Sequence, residues 1–198
     1  MNLGELKTLV QDYAHRTDPA TINKIGGFID LATARIGRDL QSLENTIILD
    51  PFNPVASGTI APLPDDYRHM KEISYKQGIA RVQLRGGSVD TLSKYRDTSD
   101  SSLFYKIHGR NIEIKPFSTR DYRLIYYASP VPLVDDEDDN AVLDAYPYLY
   151  LYAALVEMFF YVQQGGGMTQ ALETYTSEIT ETNRQASNAE AGAQLTMG

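Results

Sequence analysis

The chain has no cysteine among its 198 residues. That excludes a disulfide framework, a thiolate nucleophile and cysteine-ligated zinc, and it leaves the redox compartment open. Histidine is almost as scarce. His15, His69 and His108 fall on three different predicted elements, and none pairs with another at metal-ligand spacing. There is no Walker-type phosphate loop, no G-x-G-x-x-G, no G-x-S-x-G nucleophile elbow and no H-E-x-x-H. The opening Met1-Asn2-Leu3-Gly4-Glu5 lacks the basic patch and apolar run of a secretory signal. No apolar run is long enough to span a bilayer; the closest, Tyr148 to Val162, is interrupted by Glu157.

What is present is an ordinary folding composition, 42% hydrophobic and 22% charged, in a chain long enough to bury a core without staples. The formal net charge of −8 argues against general affinity for nucleic acid. That charge is unevenly spread. Residues 61–130 carry twelve Lys/Arg against eight Asp/Glu, whereas residues 131–198 carry one against eleven. A basic middle and an acidic C-terminal third attract each other between neighbouring copies, or else form two solvated faces of one domain. Lys71, Lys76, Arg81, Arg85 and Arg96 provide the basic set a nucleic-acid-binding module would use, but nothing places them on one face. The acidic run from Asp135 to Asp139 fails as a calcium loop. Counted from Asp135, position six is Asn140 instead of Gly and position twelve is Tyr146 instead of Glu. Many carboxylate pairs exist, and none is marked out for glycan hydrolysis. The prediction is therefore no catalytic residue, no metal and no cofactor.

Periodicity predicts helices at both ends. Asn2 and Glu5 are spaced as a capping box for a helix over 3–16, with Leu3, Leu6, Val10 and Tyr13 on one face. Asp18-Pro19 suits the start of a second helix reaching Leu43, with Gly26-Gly27 placed for close approach of another backbone. A third helix over 144–163 is apolar nearly all round and so belongs at the buried centre. Tyr146, Tyr148, Tyr150 and Tyr152 crowd its start and suit either an interface or the core. Gly165–Gly167 ends it. A fourth helix opens near Met168, and its apolar stripe fades after Ile179.

The middle reads as strands. Thr46–Asp50 and Gly58–Ala61 are short strands, Leu63–Tyr67 is a turn, and Ile73–Leu84 offers one or two strands around Gly78. Ser88–Tyr95 suits a short helix. Phe104–Ile107 and Asn111–Lys115 flank His108-Gly109-Arg110 as a hairpin, and Tyr122–Ala128 is apolar enough to be a central strand. The expected fold is α+β: a bundle of about four helices from 1–45 and 140–185, an antiparallel β-domain inserted at 46–130, and an acidic loop at 131–139. An extended C-terminal tail at 186–198 follows, too poor in apolar residues to bury much surface of its own and so suited to a partner. Its candidate contact residues are Arg184, Asn188, Gln194, Leu195 and Met197.

The order of these segments resembles a known group. Glu5–Val10 and Phe28–Ala34 lie in the N-terminal helices, and Leu63-Pro64-Asp65-Asp66-Tyr67 opens the β-rich insertion. Asn111–Pro116 and Tyr122–Ala128 follow, and Tyr146–Leu155 opens a helix after the acidic loop. Over about residues 3–180 this layout resembles the head–tail adaptor (connector) proteins of tailed bacteriophages, of the tail tubular protein A or portal-binding type. The resemblance implies a structural virion protein at the head–tail junction. It implies a homo-oligomeric ring of about twelve copies closed by head-to-tail contacts. The partners implied are the portal protein above and the next tail protein, nozzle or tail tube, below. Genomic DNA would pass through the channel without specific binding, because an acidic lining offers phosphates few cations. The alternatives are a terminator or stopper at another junction of the tail, and a tail-associated peptidoglycan hydrolase.

Overall fold

The computed structural model describes residues 1–52, 60–87, 103–115 and 120–195, with side chains through Ala189. It divides into a helical unit, Met1–Thr46 with Ala128–Gly198, and a β unit, Ile47–Tyr127.

In the helical unit, α1 (Leu3–Ala14) starts with the expected capping box. The Asn2 side chain accepts from the Glu5 amide at 2.9 Å, and the Glu5 carboxylate accepts from the Asn2 amide at 3.1 Å. Leu3, Leu6 and Val10 are buried, but Tyr13 is 47% exposed and is not a core residue. The second expected helix is two. Asp18 caps α2 (Pro19–Ile22) by accepting from the Thr21 amide; the chain breaks at Asn23-Lys24 and resumes as α3 (Ile25–Asp39). The third is also two: α4 (Ala141–Ala145), capped by Asn140, and α5 (Pro147–Tyr161), which opens on proline where no amide donor is missed. The last is α6 (Gly165–Leu195). The described residues thus hold six helices where about four were expected.

Helix α5 is the centre, as its all-round apolar sequence predicts, with Leu149, Tyr150, Leu151, Ala153, Ala154 and Met158 buried. Helices α1, α3 and α6 pack around it. Close backbone approach occurs at Gly37 and not at Gly26-Gly27. A Cβ on Gly37 would meet Ser129 Oγ at 2.9 Å and Pro130 Cδ at 3.0 Å, whereas one on Gly27 would meet nothing within 4 Å.

The extended tail is a further correction. Helix α6 is 31 residues long and runs through Leu195. Its buried stripe of Ala171, Tyr175 and Ile179 continues through Thr182 and Ala186, so it does not fade at Ile179. Two causes are visible. The segment is rich in Ala and carries Glu and Gln as well, all good helix formers. And Asn183 ties it to the end of α3, donating to Asp39 O at 2.9 Å and accepting from the Gln41 amide at 2.8 Å.

The β unit holds eight described strands: β1 (Thr46–Phe52, its first residue belonging to the helical unit), β2 (Ile60–Pro62), β3 (Tyr67–Gln77), β4 (Ala80–Gln83), β5 (Arg85–Gly86), β6 (Phe104–His108), β7 (Asn111–Lys115) and β8 (Tyr122–Ala128). They form two sheets, ordered β1-β8-β3-β4 and β2-β7-β6-β5, where one antiparallel sheet was expected. The β5–β6 pair is parallel. Two expectations hold in detail. Strand β8 is interior to its sheet, and β6 and β7 form a hairpin that turns at Gly109, with φ 59°. The expected helix at Ser88–Tyr95 and the start of the strand at Gly58 lie outside the described residues.

Candidate functional site

The acidic loop has a definite task. Its backbone carbonyls at Asp138 and Asp136 accept from the amides of Leu3 and Gly4, both at 2.9 Å, which are donors that α1 cannot satisfy internally. Lys7 pairs with the Asp136 carboxylate at 2.6 Å, and the N-terminal ammonium with Asp144 at 2.9 Å. Asp138 turns inward on its own loop. Its carboxylate accepts from the amides of Val134 and Asp135, which hold its pKa below the usual value. Negative charge at a helix N-terminus is stabilised by the helix dipole. Among the described residues no group of three or more His, Asp or Glu is placed to hold a metal ion.

The three histidines stay apart. His15 terminates α1 in a left-handed conformation, His69 lies in β3, and His108 sits 2.9 Å from Glu113 across the β6–β7 hairpin. Glu113 also accepts from Lys115 at 2.9 Å.

A polar cluster locks α6 to its neighbours. Arg35 on α3 pairs with Glu157 on α5, and its guanidinium lies 6.0 Å from the Tyr175 ring centre. The Tyr175 hydroxyl donates to Asp39 at 3.0 Å, and Arg38 pairs with the same carboxylate at 2.7 Å. Burial pushes the Asp39 carboxyl up, but the Arg38 and Tyr175 hydrogen bonds outweigh it and hold the pKa down. Burial and the adjacent Asp39 raise the Tyr175 phenol.

Of the predicted contact residues, Arg184, Asn188, Gln194 and Leu195 lie along α6. Arg184 is exposed and paired within α6 to Glu181, at 2.6 Å and 2.8 Å; Arg184 and Gln185 together pull Glu181 down to about 2. Asn188 is exposed one turn further on. Gln194 and Leu195 fall in the last turn of α6, and Met197 lies outside the described residues. The crowded tyrosines divide between buried and exposed positions. Tyr150 is buried and accepts from Asn140 at 3.0 Å, and Tyr146 donates to Glu44 at 2.9 Å, while Tyr148 is 55% exposed.

Sequence reasoning missed a groove of about 290 Å³ in the helical unit, walled by Tyr13, Tyr152, Leu155, Phe159, Gln170 and Ala171. Only one partial signal was in the sequence. Tyr13 follows the α1 apolar spacing, yet it lies at the end of the helix, past the last buried position. Charge separates with the units. The helical unit carries six Lys/Arg and 17 Asp/Glu, and the β unit twelve and nine. No described helix is long and apolar enough to cross a membrane.

These features describe surfaces and interlocked elements, with no convergent set of reactive groups among the described residues. Comparison with curated proteins gives no match. Residues 1–197 match the family described as SU10 adaptor protein. The chain therefore belongs to the SU10 adaptor protein family, whose members are structural components of the phage particle.

Proposed function

We propose that this adaptor forms a ring of about twelve copies at the head–tail junction, joining the portal to the next tail protein and enclosing part of the DNA channel. The observation that carries the reading is the adaptor-family match over nearly the whole chain. The split of charge supports it, because an acidic helical unit and a basic β unit suit head-to-tail contact between neighbours. The end of α6, with Arg184, Asn188, Gln194 and Leu195, is the portal-facing arm in this reading, together with Met197 of the segment that follows it, and the β unit faces the tail. The arm is helical, so its contacts recur every three or four residues along one face. An acidic helical surface along the channel lets DNA slide past.

Site-directed cross-linking tests the assignment. The cysteine-free background makes Asn188→Cys and Lys106→Cys single-thiol reporters on the two units. In assembled particles the first should link to portal and the second to the tail component below. The opposite pattern, or no link from either, would overturn the arrangement.

A further inference from the structure

The β3–β4 hairpin carries an arrangement that costs the isolated subunit stability. Its two-residue turn places Gly78, with φ 64°, before Ile79, whose side chain is fully exposed. One pair below the Gln77–Ala80 pair that closes the turn, Lys76 stands opposite Arg81. Like charges facing each other across a strand pair repel. Asp50 pairs with Arg81, but no described carboxylate pairs with Lys76. Val82, next in the strand, is also exposed. The tip therefore presents aliphatic surface bordered by positive charge.

The groove of the helical unit has the complementary chemistry. Tyr13, Tyr152 and Phe159 give it aromatic walls, and no Lys or Arg lines it. Glu178 is exposed one helical turn beyond Thr174, which lines the groove, so a carboxylate stands beside its rim. About 290 Å³ admits an aliphatic side chain, and aromatic faces attract ammonium and guanidinium groups. The surrounding unit is strongly acidic.

We propose that the Lys76–Ile79–Arg81 hairpin tip of one copy docks in the Tyr13–Tyr152–Phe159 groove of a second copy, with Ile79 filling the groove and Lys76 facing Glu178. This inference rests on the ring-forming reading and specifies its head-to-tail contact. Tip and groove are different patches, so each copy retains one of each, and successive docking closes a ring when the rotation allows.

Two single-thiol variants of the full chain, Ala80→Cys beside the tip and Gln170→Cys on the groove wall, test the contact. Mixed and oxidised at concentrations where copies associate, they should form a mixed disulfide dimer in about tenfold excess over either like-with-like dimer. A charge exchange gives a second readout. Lys76→Glu and Glu178→Lys should each weaken association by about tenfold, and the two together should restore most of it. Oligomers that form with random cross-links and no restoration would overturn this contact while leaving the ring reading intact. A chain that stays monomeric both alone and with portal protein would overturn both.

Discussion

Asn45 illustrates how much of this molecule is held by single polar side chains. It is 3% exposed; its side chain accepts from the Ser42 amide at 2.9 Å and donates to Leu40 O at 3.0 Å and Ala128 O at 3.3 Å. The Asn45 carbonyl also accepts from the Ala128 amide at 2.7 Å. One residue thus joins the two points at which the chain leaves and re-enters the helical unit. Asn45→Ala should cost about 1–3 kcal/mol, because it strands buried carbonyls, and urea unfolding measures that loss. Asp39 gives a pH signature. Its folded pKa lies below the ordinary 3.8, so its contribution is fully present above that value and is lost as pH falls through the lower folded value. Asp39→Asn should lower stability at neutral pH and flatten the acid side of a stability–pH profile. A profile unchanged in slope would contradict the hydrogen-bond geometry at Arg38 and Tyr175.

At the scale of elements, hairpins and caps were the most legible parts of the sequence. Asn2 with Glu5, Asp18 with Pro19, and Gly109 between two alternating runs each encode their structure within a few residues. Gly109→Val should cost about 1–2 kcal/mol, since a β-branched residue is strained at φ 59°, and a drop in melting temperature reports it. Features that depend on distant partners were not legible. Residues 165–195 lack apolar periodicity after Ile179, yet they remain helical because Asn183 reaches Asp39 and Gln41 across 142–144 residues of sequence. The division of the strands into two sheets depends on pairings such as Ile60 with Glu113, which no local pattern announces. The groove was missed for the same reason, since Tyr13 and Tyr152 meet only after folding. If Asn183 anchors the distal helix, Asn183→Ala should raise amide exchange over residues 184–189 by about tenfold and leave α5 unchanged. Equal exchange in both proteins would show that the Thr182 and Ala186 packing suffices.

At the scale of the whole molecule, charge divides between the two units. In the proposed ring, an acidic helical unit and a basic β unit favour unlike contacts between copies over like ones. Association between copies should therefore weaken as salt shortens the Debye length from about 10 Å at 0.1 M to about 3 Å at 1 M. Sedimentation across that salt range checks the sign. An association unaffected by salt would assign the contact to apolar burial alone. The most direct measurement is the native mass of the purified chain mixed with its portal protein. The account predicts a complex that adds a closed ring of about twelve adaptor copies to the portal. A 22.1 kDa monomer that persists at every concentration and leaves the portal mass unchanged would contradict it.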